Sequence, residues 1–155
     1  MPDHYDPSPS SLPVLSHADG LANAGRDLFI LLGRVTLGWI FVESGWRKLQ
    51  DIPAFAATMG RRGLPEFLGY LAPPVEFIGG LMILAGFATR YMALLMLLFM
   101  VIATFSSHAY WKVPADQVAT QYGQFWKNMT IKGGFILLFV VGAGKFSLDA
   151  LLRRK

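Results

Sequence analysis

Polar residues thin out over four stretches of the chain, roughly 28–46, 65–87, 91–111 and 125–143. Each is close to the ~20 residues that carry a helix across a hydrocarbon core. The second stretch is interrupted by Pro73-Pro74, which would ordinarily end a helix. A helix from Pro74 to Phe87 has 14 residues and spans about 21 Å, short of the ~30 Å core. Starting at Pro65, after Gly63-Leu64, gives 23 residues and about 34 Å. The pattern therefore predicts a helix with both prolines inside it and a kink at Pro73-Pro74, the carbonyls it frees satisfied by side chains, water or neighbouring helices. Between the first two stretches, residues 52–59 predict a short interfacial helix with Phe55 and Met59 on one face.

Successive spans alternate direction. The end of the first, the start of the second, the end of the third and the start of the fourth thus meet at one membrane face. Those half-helices carry Glu43, Glu76, His108, Asn128 and Lys132, and the opposite half carries little beyond Arg34. The expected fold is all-α: a polytopic membrane protein built as a four-helix transmembrane bundle. Residues 1–25, rich in Pro, Ser, Asp and His, read as a disordered tail, 26–149 as the membrane domain and 150–155 as a basic tail. The start of the chain lacks the basic-then-apolar order of a secretory signal, so the first span is expected to stay in the mature protein.

Composition agrees with this picture. Hydrophobic residues make up 54% of the chain, above the ~45–50% of soluble domains, and the mean hydropathy is +0.43. The net charge of +4 would suit a nucleic-acid partner in a soluble protein, but here the bases flank apolar spans, where they meet lipid headgroups. No nucleic-acid partner is expected. Six bases lie near the span ends on each side, so charge asymmetry assigns no orientation. Cysteine is absent, which removes disulfide, thiol and iron–sulfur chemistry by this chain. No metal site and no covalent cofactor are expected.

Glu76 is the sharpest single feature, because a carboxylate near the middle of a span is costly. Gly79, Gly80 and Ile83 share its face, which turns it toward protein. It is either a buried ion-pair partner, with Lys132 or Arg34 as the candidate bases, or a ligand contact or proton carrier, or a cap near Pro74. Glu43 and Arg47 have the favourable i,i+4 order for a local ion pair. Thr104, Ser107, His108 and Trp111 fall on one helical stripe. Gln121, Gln124, Asn128 and Lys132 fall on another. His108 is the one histidine outside the tail, and its chemistry suits either proton transfer or a structural hydrogen bond. Lys132 either snorkels to the polar face or pairs with Glu76. Most tryptophans and tyrosines read as an interfacial belt, with Trp111 and Trp126 placed to wall a pocket for a flat ring. Glu76, His108, Asn128, Lys132 and Trp111 are the candidate ligand or proton-carrying residues. Arg34, Glu43 and Arg47 are the candidate intramembrane ion-pair residues.

Gly33-Arg34, Gly38, Phe41, Gly45 and Lys48-Leu49 in the first span resemble the DoxX family of small bacterial membrane proteins. So do Glu76-x-x-Gly79-Gly80, Gly86-x-x-Thr89-Arg90, His108-x-x-Trp111, Lys127-Asn128 with Gly133-Gly134, and Ser147-Leu148-Asp149. The likeness covers roughly 28–149. It implies a four-helix protein of the bacterial inner membrane with cytoplasmic termini and the polar cluster on the periplasmic half. The family includes a subunit associated with thiosulfate:quinone oxidoreductase, and other members are linked to complexes that handle oxidative and thiol stress.

Three functions compete. A membrane subunit of a redox or quinone-linked complex would hold a quinone non-covalently beside Glu76, His108 and Lys132 and take electrons from a partner protein, since the chain has no self-sufficient redox motif. A small-solute or proton-coupled transporter would use the same buried charges, and four helices would then call for a homo-oligomer. A non-catalytic scaffold would use them only to fix helix packing.

Overall fold

A computed structural model describes residues 13–153 of the chain, all of it helix and connecting turns. The elements are α1 (Pro13–Ala24), α2 (Arg26–Leu49), α3 (Ile52–Arg61), α4 (Phe67–Ala85), α5 (Thr89–Ser107), α6 (Ala115–Val141) and α7 (Leu148–Arg153). A single 3₁₀ turn, Tyr110–Lys112, joins α5 to α6. The four long helices α2, α4, α5 and α6 form the bundle. Three apolar segments, α2, α4 and α5 with its continuation to Lys112, are each long and apolar enough to cross a membrane. The fourth long helix, α6, is less apolar because its first half carries Asp116, Gln117, Gln121, Gln124 and Lys127.

Two boundaries differ from the sequence expectation. Within the segment read as a tail, Pro13–Ala24 is helical, and residues 1–12 lie outside the described part. α6 begins at Ala115, ten residues before the apolar stretch does, because its early polar turns continue the same helix. The length argument for the second span holds: α4 starts at Phe67, ahead of Pro73 and Pro74, and passes through both. Its 19 residues reach about 28 Å.

α2 and α4 make the tightest contact in the bundle. Gly38 lies against Gly80, and Gly45 lies so close to α4 that a Cβ there would sit 2.6 Å from the backbone nitrogen of Phe77. Small residues at this seam let two backbones approach without a hydrophobic driving force between the helices. Phe41, Ile83, Ala93, Met96, Met100, Phe135 and Leu138 fill the centre, with the rings of Phe41 and Phe135 5.4 Å apart.

Local chemistry sets the ends. Asp51 caps α3 by accepting from the Ala54 N–H at 3.0 Å, and Pro53 sits in the first turn, where its missing N–H is harmless. α4 stops at Gly86, whose φ of +67° is left-handed, with Phe87 and Gly86 N–H groups returning to the Met82 and Ile83 carbonyls. α5 has no cap of its own at that turn. The carboxylate of Asp149, brought in by the C-terminal segment, accepts from Ala88 N–H at 2.7 Å and Thr89 N–H at 2.9 Å. The Asp149 N–H in turn donates to the Gly86 carbonyl at 2.9 Å. Arg34, 1% exposed, donates to the Phe146 carbonyl. The chain's last turns are thus strapped to α2 and to the α4–α5 turn.

Candidate functional site

At the other end of the bundle the helices part around a cavity of about 600 Å³. Its walls are largely apolar: Phe41 from α2, Leu71 and Val75 from α4, Phe99 and Met100 from α5, and Ile131 from α6. Its polar groups are Glu43, Arg47 and Lys48 of α2, Glu76 of α4, Ser106, Ser107 and His108 at the end of α5, and Lys127 and Asn128 of α6. α3 lies over one side and contributes Phe55 and Met59, the pair the sequence placed on one face, with Arg62 following. It sits hard on α4, since a Cβ at Gly69 would meet Ala56 Cα at 2.3 Å.

Glu76 is 6% exposed and paired, but with neither Lys132 nor Arg34. Lys48 Nζ donates to both its carboxylate oxygens, at 2.6 and 2.7 Å. The glycine seam explains the choice. Gly38, Phe41, Gly45 and Lys48 repeat at three and four residues, so the stripe that seats α2 on α4 ends by presenting Lys48 to Glu76. The Lys48 ammonium also lies 5.1 Å from the centre of the Phe55 ring, a cation–π contact that ties the pair to α3. Arg34, the other proposed base, is at the opposite pole. Lys132 is beyond reach because α6 packs chiefly against α5. Its ammonium lies over the rings of Phe105 and Phe125, 5.4 and 6.0 Å from their centres, and it does not line the cavity.

His108 caps the end of α5, its N–H bonded to the Thr104 carbonyl at 3.0 Å. Its ring Nδ1 is 2.8 Å from Gln121 Oε1, an acceptor, so Nδ1–H donates to it. Asn128, 7% exposed, lines the cavity with no side-chain hydrogen bond to any described residue. The helical stripe expected to reach Trp111 breaks at His108. Trp111 therefore sits on the 3₁₀ turn in an aromatic cluster, edge-to-face with Tyr110 and Phe125 and tilted against Phe105, instead of walling the cavity. Trp126 packs on Phe125 in the same cluster. The Glu43–Arg47 pair forms as its spacing implied, at 2.9 Å and largely in the open.

Of the five candidates, the structure brings Glu76, His108 and Asn128 to one cavity and leaves Lys132 and Trp111 beside it. Sequence reasoning passed over Lys48, Arg62 and Lys127 because bases at span ends look like headgroup anchors. The heptad-like repeat ending at Lys48 was the available signal. Among the described residues no group of His, Cys, Asp and Glu is arranged to hold a metal ion.

The comparisons with known proteins agree with this architecture. The DoxX family profile matches residues 29–109, and the SURF4 family profile matches residues 72–154. The Escherichia coli K12 inner membrane protein YqjF is 35% identical over 130 residues, 84% of this chain and 96% of that protein. The inner membrane protein YphA of the same organism is 30% identical over 128 residues, 81% of this chain and 91% of that protein. A Bacillus subtilis 168 protein named provisionally as an oxidoreductase, CatD, is 36% identical over 73 residues, 47% of this chain and 54% of that one. No solved structure matches. The glycine seam, the Glu76 half-helix and His108 all lie inside the first matched region, and the chain belongs to the DoxX family of membrane proteins.

Proposed function

We propose that the chain is a membrane subunit of a redox complex in the bacterial inner membrane, and that its cavity holds the head of a quinone-like molecule. The observation that carries this reading is Asn128: a buried amide with no side-chain partner among the described residues, lining a largely apolar cavity of about 600 Å³. Such a space, with a few convergent polar groups, is the usual form of a small-molecule site. A bound quinone would supply two-electron, two-proton chemistry at a carbonyl-bearing ring. The Asn128 amide donates to such a carbonyl, and the His108 ring, oriented by Gln121, exchanges a proton there. Glu76 has a different part in this reading. Held by Lys48 through two short bonds, it orients the wall and does not carry protons. The electrons come from a partner protein, since the chain has no cysteine to ligate a cluster. The provisional name of the Bacillus relative points to the same class of chemistry. The termini are proposed to be cytoplasmic.

The test is purification of the full chain in a neutral detergent, mass spectrometry of the co-extracted lipids, and titration with a short-chain quinone. Quinone recovered with the wild type and lost in Asn128→Leu supports the reading. Absence of bound quinone together with no saturable binding of the short-chain quinone overturns it.

A further inference from the structure

The cavity's charge is unbalanced. Its charged lining is Glu43, Arg47, Lys48, Arg62, Glu76 and Lys127. Both acids are committed to bases of the same wall, Glu43 to Arg47 at 2.9 Å and Glu76 to Lys48 at 2.6 Å. Arg62, at the end of α3, and Lys127, on α6, have no carboxylate partner among the described residues. Next to Lys127 in sequence is Asn128, whose buried amide also lacks a partner among the described residues. Beyond these groups the lining adds the neutral hydroxyls of Ser44, Ser106 and Ser107 and the His108 ring, and the rest of the wall is apolar.

Surface bases alone would be explained by headgroups or water. The bases here share one cavity with an amide that is more than nine-tenths buried and has no partner among the described residues, and the wall formed by Phe41, Val75, Met100 and Ile131 is apolar. From this we infer that the cavity selects an amphiphile with an anionic head, a carboxylate or a phosphate, over a neutral one of the same length. The head is held by charge-assisted hydrogen bonds from Arg62 and Lys127 and by the Asn128 amide. The body lies along Phe41, Val75, Met100 and Ile131. A neutral amphiphile fills the same walls but leaves both bases to water, so selection falls on the head. The inference rests on the cavity being a ligand site and does not depend on that ligand carrying electrons.

The experiment uses the full chain in a neutral detergent, at a pH where a fatty acid is ionised. The probes are dodecanoic acid, dodecanol and inorganic phosphate. Dodecanoic acid is expected to bind about tenfold more tightly than dodecanol, the scale of one good charge-assisted contact. The double variant Arg62→Gln/Lys127→Gln is expected to bring the acid to the alcohol's affinity with the melting temperature unchanged, because both side chains are exposed. Millimolar phosphate is expected to leave acid binding intact. Equal binding of acid and alcohol overturns the inference, as does an acid preference that survives in the double variant. Displacement of the acid by phosphate also overturns it, since the site would then serve a free anion. Quinone binding without any preference for the acid sinks this inference and leaves the redox proposal standing; acid preference without quinone binding does the converse.

Discussion

The two ends of the bundle hold comparable sets of polar residues and use them in opposite ways. At the Arg34 end the groups are packed against one another. The Phe146 carbonyl, the α4–α5 turn and the C-terminal segment crowd the guanidinium, to the point that a Cβ at Gly86 would fall 1.6 Å from Arg34 Nη1, and Arg34 Nε and Nη1 and Thr89 Oγ1 are buried there without a hydrogen-bond partner among the described residues. At the Glu76 end the helices surround a cavity, and Asn128 has no side-chain partner among the described residues. Packed polar groups fix the chain, and spaced ones are free to meet something else. A polar cluster in a membrane bundle therefore points to a ligand only where there is room beside it.

The largest test of that contrast is Gly86→Ala. The residue has φ +67°, and its missing side chain makes room for Arg34. Alanine there meets both a left-handed backbone and a buried guanidinium. A loss of about 3 kcal/mol is expected, in the upper range for single substitutions, read by denaturant unfolding in detergent. A loss below ~0.5 kcal/mol, within the range of ordinary surface changes, would mean that the packed end is not packed.

Next in size is Glu76→Gln, which leaves Lys48 facing a neutral amide. Breaking a fully buried pair costs about 3–5 kcal/mol, but Lys48 is partly exposed, so about 1–2 kcal/mol is expected. Replacing both, Glu76→Gln with Lys48→Met, should recover most of the loss. Losses that simply add would show that the two residues act independently.

How far the sequence disclosed the molecule differs between the two ends. The all-α class, the passage of α4 through its prolines and the inward face of Glu76 follow from spacing, because period and length are local properties. The one-sided grouping of Glu76, His108 and Asn128 follows from counting spans. The partner of Glu76 did not follow, because that depends on which helix lies beside which, and Gly38 and Gly45 decide it through contacts far apart in sequence. The knot at the Arg34 end was legible least of all. Asp149 read as the last residue of the membrane domain, in the family-like Ser147-Leu148-Asp149, and nothing in its neighbourhood announces that it caps a helix sixty residues earlier.

That cap gives a pH test. Burial alone would push the Asp149 carboxyl up, but the Thr89 and Ala88 N–H groups, helped by the charge of Arg153, hold it below the ordinary carboxylate range. A carboxyl with a lowered pKa in the folded state contributes stability above its unfolded value of about 3.9, and that contribution is lost as pH falls through the folded value. The wild type should therefore lose about 1 kcal/mol from this group on acidification below pH ~4, the scale of a helix cap. Asp149→Asn should show a smaller acid-side slope in melting temperature. An unchanged slope would mean that the carboxylate's charge is not what caps α5.

The smallest expected effect on stability is at Glu43. Its pair with Arg47 is exposed, with side chains 47% and 71% accessible, so water and salt already screen it. Glu43→Gln should change unfolding free energy by no more than about 0.5 kcal/mol. The pair nevertheless lines the cavity, and removing the acid frees Arg47 to face it. If the open end works through its unmatched bases, dodecanoic acid should bind a few-fold more tightly to this variant while dodecanol binding stays the same. The packed end offers no parallel, since no neutral change there should leave stability untouched and alter binding. A Glu43→Gln protein with lowered stability, or with unchanged acid affinity, would erase that distinction between the two ends.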